Sequence, residues 1–313
     1  MEEPNKKTHS STQVLFFIVA LCLICALVLA VTAYSLEKVQ QNAKEFDQSK
    51  QMLIAAKVLD HAGYFQILQE DQTVTRARLD EEKGILVADP AAPKATEAQI
   101  KQISRMRIRP LLTDKDGNVF TLEDKHLSLP DYLAENKKAG YAHLPFKLFY
   151  VILPNEKSVD ALSDADISKE LSKVSVFVIP VSGFGLWAPI YGYIAVGRNG
   201  DEVIGTTWYE HGETPGLGAN ITESWWQKQF FGKLIFQRSP GGKTDFQTAD
   251  MGIIVVKGKV KDVFGNSPKS KSAVDGMSGA TLTGDGVTAA YRNSLSPYRA
   301  FFIHVHEQEK VKK

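Results

Sequence analysis

Cysteine is scarce in this sequence, since only Cys22 and Cys25 occur among its 313 residues. Both lie in one apolar segment, so the rest of the chain cannot carry a disulfide framework. At i, i+3 spacing the two would share one face of a helix, which permits a pair of metal or cluster ligands at a membrane. No further ligand accompanies them, and this favours small packing residues over a metal site.

The net charge is also small, at +1, although 23% of the residues are charged. A basic face of the kind that binds nucleic acid is therefore not expected, and DNA and RNA are not predicted partners. With 43% hydrophobic residues the chain can form a sizeable core, which argues against disorder. The length suits a membrane element plus one large or two small domains.

Two phosphate-binding fingerprints are missing from the sequence. It has neither the G-x-G-x-x-G of dinucleotide-binding βαβ units nor the G-x-x-x-x-G-K-[ST] of P-loops. His304 and His306 have alternate-residue spacing and could form half of a metal site, but no Cys, Asp or Glu cluster accompanies them. We therefore predict a strand or tail face at these histidines and no metal site.

An uninterrupted apolar run from Val14 to Tyr34 is the first strong positive signal. At about 1.5 Å per residue it spans roughly 30 Å, the thickness of the hydrocarbon core of a bilayer. The run predicts a transmembrane helix over 14–34 after a short cytoplasmic tail, 1–13. A cleaved signal peptide, with its site near Ala33, is the alternative, but the run is longer than such peptides require. Lysines are equally frequent before and after the run, so the positive-inside rule does not indicate the orientation of the helix. We expect the bulk of the chain to be extracytoplasmic because nearly all of it follows the run as one continuous segment.

Residues 35–145 are predicted to form a helical stalk followed by a variable elaboration. Apolar residues at near-heptad positions from Leu36 to about Asp60 predict an amphipathic helix. The sequence TEAQ from Thr96 predicts a capping box that begins a second helix. Turn signals over Gly84–Glu135 predict turns and short strands rather than a second large core.

Residues 146–313 have the regular pattern of a single α+β domain. Strand-like runs cover 146–154, 174–180, 190–196 and 202–210, and the RNGD turn between the last two predicts an antiparallel hairpin. A helix over 224–231, a strand over 252–257 and a final helix from about Asp285 complete the pattern. We therefore predict an antiparallel sheet with packing helices.

Three glycine-rich stretches interrupt this regular part: SGFGLWAP (182–189), HGETPGLG (211–218) and DGMSGATLTG (275–284). Glycines allow a backbone to approach a ligand closely, and threonines add hydroxyls. If the stretches meet at one end of the sheet, they form a pocket. Spacing alone leaves two interpretations open, a phosphate-bearing ligand or ordinary hairpin and capping loops.

The pattern D-x-x-S-G-A-T, from Asp275 to Thr281, resembles the signal at which flavin transferases attach FMN to threonine. The resemblance implies a phosphoester between FMN and Thr281, with Asp275 read by the transferase. Amide hydrogens of 278–282 and the start of the last helix would solvate the singly charged phosphodiester without an arginine cluster.

The similarity extends to GFGLWAPIYGYIAV, HGETPGLG, VDGMSGATLT and the N-terminal span, which resemble the family of C subunits of sodium-translocating NADH:quinone reductases. It covers roughly residues 10–65 and 145–300. The G subunit of RNF electron-transfer complexes shares ETPGLG and SGAT, but the form GLWAP at 185–189 favours the sodium-translocating family. A membrane-anchored module for a noncovalent ligand and a purely structural subunit remain as alternatives of other classes.

The resemblance implies a single-pass flavoprotein of a bacterial inner membrane, with its bulk in the periplasm. It would relay electrons from NADH toward ubiquinone within a six-subunit enzyme that couples this transfer to sodium export. The chain itself would have no NADH site, no quinone site and no acid–base catalytic residue. Lys257 is a candidate for a positive charge near the flavin, and His211 is expected to make local hydrogen bonds. The tryptophans are expected in the core or at its rim; they are Trp187, Trp208, Trp225 and Trp226. The residues implied to bind FMN are Gly183, Gly185, Glu213, Thr214, Leu217, Gly218, Lys257, Ser278, Gly279, Ala280, Thr281 and Leu282.

Overall fold

The structure of the chain is a computed structural model that describes residues 11–69, 72–157, 162–241 and 244–311. Its contacts divide the chain into two compact units, with the division between Asp47 and Gln48.

The first helix, α1 (Ser11–Ala55), is 45 residues long and includes the predicted span. Within the described part of the chain it is the one helix long and apolar enough to cross a membrane. The predicted stalk continues it without a break, but the helix ends at Ala55 rather than near Asp60. Lys57 adopts a left-handed conformation with φ of 58°, and its N–H donates to the carbonyl of Ile54, which terminates the helix.

The second helix, α2 (Glu97–Arg107), confirms the capping box predicted at Thr96. The Thr96 hydroxyl accepts from the amide of Gln99, and the Gln99 side chain accepts from the amide of Thr96. Ile100 and Ile103 on this helix are buried, as their spacing indicates.

Eleven strands in the described residues form three sheets. The largest has six antiparallel strands in the order β5-β4-β6-β7-β8-β9, and the others are an antiparallel β1-β2-β3 sheet and a parallel β10-β11 pair. The strands are β1 (Phe65–Leu68), β2 (Val74–Asp80), β3 (Ile85–Ala88), β4 (Ile108–Thr113), β5 (Val119–Phe120), β6 (Lys147–Ile152), β7 (Val176–Phe184), β8 (Pro189–Gly197), β9 (Val203–Glu210), β10 (Ile254–Val255) and β11 (Ala273–Val274).

The four predicted strands of the C-terminal domain occur as β6 to β9, and the hairpin between β8 and β9 is confirmed. Strand β7 continues to Phe184, four residues beyond its predicted end at Pro180. Proline is tolerated there because the pairing of β6 with β7 covers only Val176 to Val178 and ends before Pro180. No strand on that side therefore needs the backbone N–H that proline lacks. The predicted strand over 252–257 is limited to Ile254–Val255, since Gly252 before it has φ of 116°.

Six further helices pack around the sheets within the described residues, and several boundaries differ from prediction. The helix predicted over 224–231 is α-helical only to Gln227 and then continues as a 3₁₀ turn. The final helical region consists of two helices, and His304 and His306 lie on the second of them rather than on a strand. The helices are α3 (Leu129–Asn136), α4 (Asp164–Lys169), α5 (Ser224–Gln227), α6 (Val260–Phe264), α7 (Thr281–Leu295) and α8 (Arg299–Val311).

The hydrophobic core lies between the six-stranded sheet and the helices α7 and α8. Phe149 of β6 contacts Phe301 of α8 with ring centroids 4.6 Å apart, and Trp208 of β9 contacts Tyr291 of α7 at 5.6 Å. Helix α7 runs antiparallel to β7, because Ser294 hydrogen-bonds Ser182 while Gly286 lies against Phe184. The N-terminus of α7 is therefore placed beside the loop that follows β7.

Candidate functional site

The three glycine-rich stretches meet at the C-terminal end of β7, which is the condition that the sequence analysis set for a shared site. A Cβ atom on Gly286 would lie 2.3 Å from the carbonyl oxygen of Phe184, so the first turns of α7 touch the end of β7 directly. A Cβ atom on Gly279 would lie 2.9 Å from Leu217, which brings the second and third stretches together. Such contacts bring the backbones of the three stretches close together, as glycine allows.

Glu213 joins these stretches through its carboxylate. The residue is buried, with 5% of its surface exposed. The amides of Leu186 and Trp187 each donate to Oε1 at 3.0 Å. The hydroxyl of Thr283 donates to Oε2 at 2.5 Å. One side chain from the second stretch thus bonds to the first stretch and to the first turn of α7.

These hydrogen bonds also determine the charge of Glu213. Burial would raise the pKa of the carboxyl group, but donation from the Thr283 hydroxyl and from the Trp187 and Leu186 amides outweighs it. The pKa therefore lies below its ordinary value, and the group is a carboxylate at neutral pH. Because the carboxylate is already bonded to protein donors, its contact with a flavin stays a prediction.

Gly185 and Gly218 provide room for this carboxylate. A Cβ atom on Gly185 would lie 2.4 Å from Oε1 of Glu213, and one on Gly218 would lie 2.7 Å from Oε2. Side-chain atoms at either position would displace Glu213. The two glycines predicted to line a flavin pocket thus have a demonstrable packing role against Glu213.

Thr281 is the first residue of α7, four residues before the predicted start of the last helix. Its side chain is exposed, whereas Thr283 is 1% exposed. The first helical bond is donated by Gly284 to Ala280, so the amides of 281–283 have no acceptor within the helix. The N-cap residue Ala280 makes no side-chain bond to them. Exposed Ser278 and Gly279, the latter with φ of 73°, form the turn before this helix.

Large apolar side chains are exposed on all three stretches. Trp187 is 66% exposed and Leu282 is 60% exposed, and exposed apolar side chains are informative where several of them lie close together. A planar, mostly apolar ring system would cover such side chains. The exposed group comprises Phe184, Leu186, Trp187, Leu217 and Leu282.

The other predicted contacts occupy the margin of this region. Lys257 is exposed and its ammonium lies 3.7 Å from the carboxylate of Asp285, in the first turns of α7. Thr214 is exposed and its carbonyl accepts from Leu217 and Ala219, which closes the second stretch into a turn. Gly183 belongs to β7, and a Cβ atom there would lie 2.5 Å from Ala290 of α7. Their roles toward a flavin remain predictions.

Asp275 and His211 make local bonds. The Asp275 carboxylate accepts from the amide of Val260, at the start of α6, at 2.8 Å and from the Lys259 ammonium at 3.0 Å. His211 accepts from the amide of Glu213 at 3.2 Å, which confirms the expected local bonding.

The remaining histidines and the tryptophans fill structural positions. His306 bonds the carbonyl of Asn199, and His304 bonds Gln308. Trp208 and Trp226 are buried, while Trp187 and Trp225 are exposed at the rim.

Thr283 and the amides of Leu186 and Trp187 are the site groups that the predicted set did not include. The sequence did hint at a separate role for Thr283, because it stands two residues after Thr281 in the segment TLT. Two helix positions with that separation face different sides of the helix. The two amide donors had no signal in the sequence, since their direction depends on the loop backbone.

Comparison with known proteins finds similarity to one family over nearly the whole chain. The FMN-binding domain family matches residues 185–296, a range that includes Glu213 and Thr281. The Na(+)-translocating NADH-quinone reductase C subunit of Chlamydia caviae is 45% identical over 303 residues, covering 96% of this chain and 95% of that protein. The protein of the same name from Chlamydia pneumoniae is 43% identical over 308 residues, covering 98% and 96%. The crystal structure of Shewanella oneidensis NqrC covers 69% of this chain and 90% of its own, with a TM-score of 0.46 and 24% identity.

Proposed function

The chain belongs to the family of Na(+)-translocating NADH-quinone reductase C subunits and has an FMN-binding domain, and we propose that it carries FMN as a phosphoester on Thr281. The relatives bear the name of the sodium-translocating enzyme, in agreement with the preference for this family over the G subunit of RNF complexes.

The observation that carries the proposal is the difference between two threonines in one helical turn. The Thr281 hydroxyl is exposed at the first position of α7, whereas the Thr283 hydroxyl is buried and donates to Glu213. Only the first is accessible to a modifying enzyme. The amides of 281–283 and the positive end of the helix dipole would stabilise the phosphodiester anion. This donor set supports a phosphate bound without a cationic pocket.

When bound, FMN supplies electron transfer between the carriers on either side of it. The protein's part is to hold the phosphate at the start of α7, to cover the ring with the exposed apolar side chains of the three stretches, and to tune its potential. The Glu213 carboxylate, fixed near the start of α7, would disfavour the negative charge of a reduced flavin nearby and so lower its potential. The Lys257 ammonium would favour that charge and raise the potential. Electrons would pass from NADH toward ubiquinone through other subunits, coupled to sodium export.

The location we propose is a bacterial inner membrane, crossed once by α1, with Gln48–Lys313 on the periplasmic side. Maturation there would require a flavin transferase that recognises the segment from Asp275 to Thr281. The other subunits of the six-subunit reductase would be its permanent partners.

Mass spectrometry of the full chain, produced with and without a flavin transferase, tests the attachment. We expect an added mass of one FMN less one water only when the transferase is present. The variant Thr281→Val should lose this mass, while the matched variant Thr283→Val should keep it. Fluorescence of the denatured band in a gel gives a second readout.

Unmodified protein in the presence of an active transferase, or a modification that persists in Thr281→Val, would contradict the proposal. Binding of free FMN to the unmodified chain would instead support a noncovalent module.

A further inference from the structure

A cavity of about 410 Å³ lies at the opposite end of the six-stranded sheet from the three glycine-rich stretches. It is lined by Ser175 and Val176, where β7 begins, and by Arg198 and Asn199 in the turn between β8 and β9. The stretches meet at the other end of β7, roughly 27 Å away at a rise of about 3.4 Å per residue. The cavity is therefore separate from the site around Thr281, and all of its lining residues belong to the second compact unit.

Arg107, the last residue of α2, is fixed beside this cavity. Its carbonyl accepts from the amide of Leu153 at 2.9 Å, and its Nε donates to the carbonyl of Leu153 at 2.8 Å. The residue is only 6% exposed. Two bonds to the same residue thus hold the guanidinium in place before any ligand arrives, which lowers the entropic cost of binding.

The two terminal nitrogens of Arg107 have no partner among the described residues. They form no ion pair with a carboxylate. The bond from Nε is the only side-chain hydrogen bond of Arg107 to a described residue. The terminal nitrogens are also not among the described side-chain atoms that are sealed from solvent without a partner. They therefore retain accessible surface, and the cavity that Arg107 lines provides it.

The charge of Arg107 is buried without a counter-charge from the described residues. Burial alone lowers its pKa to about 10, and no carboxylate acts in the opposite direction. The guanidinium still carries its charge at neutral pH. A buried charge is unfavourable unless it is paired, and arginine is almost never fully buried without a partner. An anion in the cavity would supply the missing pair.

The charges around the cavity favour an anion with a single negative charge. Lys57, Arg107 and Arg198 line it, together with Glu202 and Glu309. With all five groups ionised, three cations and two carboxylates leave an excess of one positive charge. A monoanion neutralises this excess, whereas a dianion would make the cavity negative.

The shape and the remaining lining favour a carboxylate that carries an apolar body. The terminal nitrogens of a guanidinium lie side by side and match the two oxygens of a carboxylate. Sites for small molecules usually enclose about 300–1,000 Å³ and combine apolar walls with a few polar groups. The apolar residues that line this cavity are Val58, Ile67, Leu68, Ile152, Val176 and Ile204.

We propose that this cavity binds a small monocarboxylate with an apolar body. The two carboxylate oxygens accept hydrogen bonds from the terminal nitrogens of Arg107, and the body lies against the apolar walls. Hexanoate is a simple probe with both features. Hexanamide has the same length and shape but no charge, so it separates recognition of the carboxylate from burial of the alkyl chain.

Isothermal titration of the full chain in detergent, with hexanoate and hexanamide, tests this inference. We expect hexanoate to bind about tenfold more tightly, because hydrogen bonds to a charged group are stronger than those between neutral groups. Acetate should bind more weakly than hexanoate, since it leaves the apolar walls unfilled. Sulfate, a dianion, should bind more weakly than hexanoate as well.

Three variants place the binding at Arg107. Arg107→Met should abolish saturable binding of hexanoate, and Arg107→Lys, which keeps the charge but loses the paired nitrogens, should weaken it about tenfold. Arg198→Met removes a charge from an exposed position of the lining and should weaken binding about threefold without affecting the fold. Arg105→Met, an exposed arginine on the same helix but outside the cavity, is the matched control and should change nothing.

Three results would overturn the inference: no saturable binding of hexanoate, equal binding of hexanoate and hexanamide, or unchanged affinity in Arg107→Lys. Partition of hexanoate into detergent gives the same heat in every variant and so cannot imitate the expected pattern. Thr281→Val should bind hexanoate as the unaltered chain does. Failure of flavin attachment and failure of this site are thereby separate outcomes.

Discussion

At the scale of single residues, two threonines separated by one position have different environments. Thr281 starts α7 and faces outward, whereas Thr283 faces inward to Glu213. A helix rotates by about 100° per residue, so positions one and three point in clearly different directions. Glu213 can therefore secure the helix start without competing for the hydroxyl that we propose to be modified.

Replacement of Glu213 tests its role in joining the loops. In Glu213→Gln the charge is lost, and an amide group replaces one of the oxygens that accept from Leu186, Trp187 and Thr283. Hydrogen bonds to a charged group contribute about 1.5–3 kcal/mol each, so we expect the free energy of unfolding to fall by about 2 kcal/mol. Urea denaturation measures the difference. Glu223→Gln, at an exposed carboxylate, is the control and should cost less than about 0.5 kcal/mol.

The pH dependence of that difference gives an independent check. The folded-state pKa of Glu213 lies below the ordinary value of 4.5, because its hydrogen bonds outweigh burial. The unfolded state then takes up a proton first as the pH falls, so the stabilisation is complete above about 4.5 and is lost below it. We expect the gap in unfolding free energy between the unaltered chain and Glu213→Gln to narrow as the pH is lowered through this range. A gap that widens on acidification would show that the carboxylate is not stabilised as described.

At the scale of elements, the contact between α7 and β7 depends on glycines inside a helix. Glycine is unfavourable in a helix interior by about 1 kcal/mol relative to alanine. Gly286 is nevertheless placed where a Cβ atom would lie 2.3 Å from the Phe184 carbonyl oxygen. Close approach of the two backbones therefore outweighs helix propensity at this position.

Gly286→Ala tests that balance, because propensity and packing predict opposite signs. Propensity alone would stabilise α7 by about 1 kcal/mol, whereas the backbone contact predicts a loss of about 1–3 kcal/mol from overpacking. We expect the loss, measured by thermal unfolding. In the matched variant Gly284→Ala the new Cβ would meet only the side chain of Val255, at 3.1 Å, and a smaller loss or a gain is expected. An increase in stability for Gly286→Ala would contradict the described contact.

Local signals predicted some elements well and left others undetermined. The capping box at Thr96 and the hairpin between β8 and β9 were predictable because their determinants lie within a few residues. The start of α7 was misplaced because its first turn is secured by Glu213, which is 70 residues away from Thr283 in the chain. The convergence of the three stretches was only a conditional expectation, because no more than the first two directly follow strand-like sequence. The direction of the Leu186 and Trp187 amides could not, since it depends on loop conformation.

At the scale of the whole molecule, the last turns of α1 belong to the second compact unit. Met52, Leu53 and Ile54 are buried there, and a Cβ atom on Gly205 of β9 would lie 2.5 Å from the Ala55 carbonyl oxygen. The end of the long helix is therefore part of the core of this unit.

Two truncated chains test this assignment. A chain that begins at Gln48 retains the buried side chains and should unfold cooperatively, whereas one that begins at Lys57 loses them. At about 1.5–3 kcal/mol for each of three buried side chains, we expect the shorter chain to be less stable by about 4.5–9 kcal/mol. Urea denaturation of both measures the difference. Equal stability would mean that the last turns of α1 do not support the fold.

The orientation proposed for the membrane can be tested because the native cysteines lie inside the predicted span. Cys22 and Cys25 are flanked by apolar sequence, so a membrane-impermeant maleimide added to intact cells with a permeabilised outer membrane should not reach them. In Lys138→Cys the new thiol replaces an exposed side chain of the second unit, and we expect it to be labelled in intact cells. In Asn5→Cys, ahead of the span, labelling should require lysis. The reverse pattern would place the second unit in the cytoplasm and would contradict the proposed orientation.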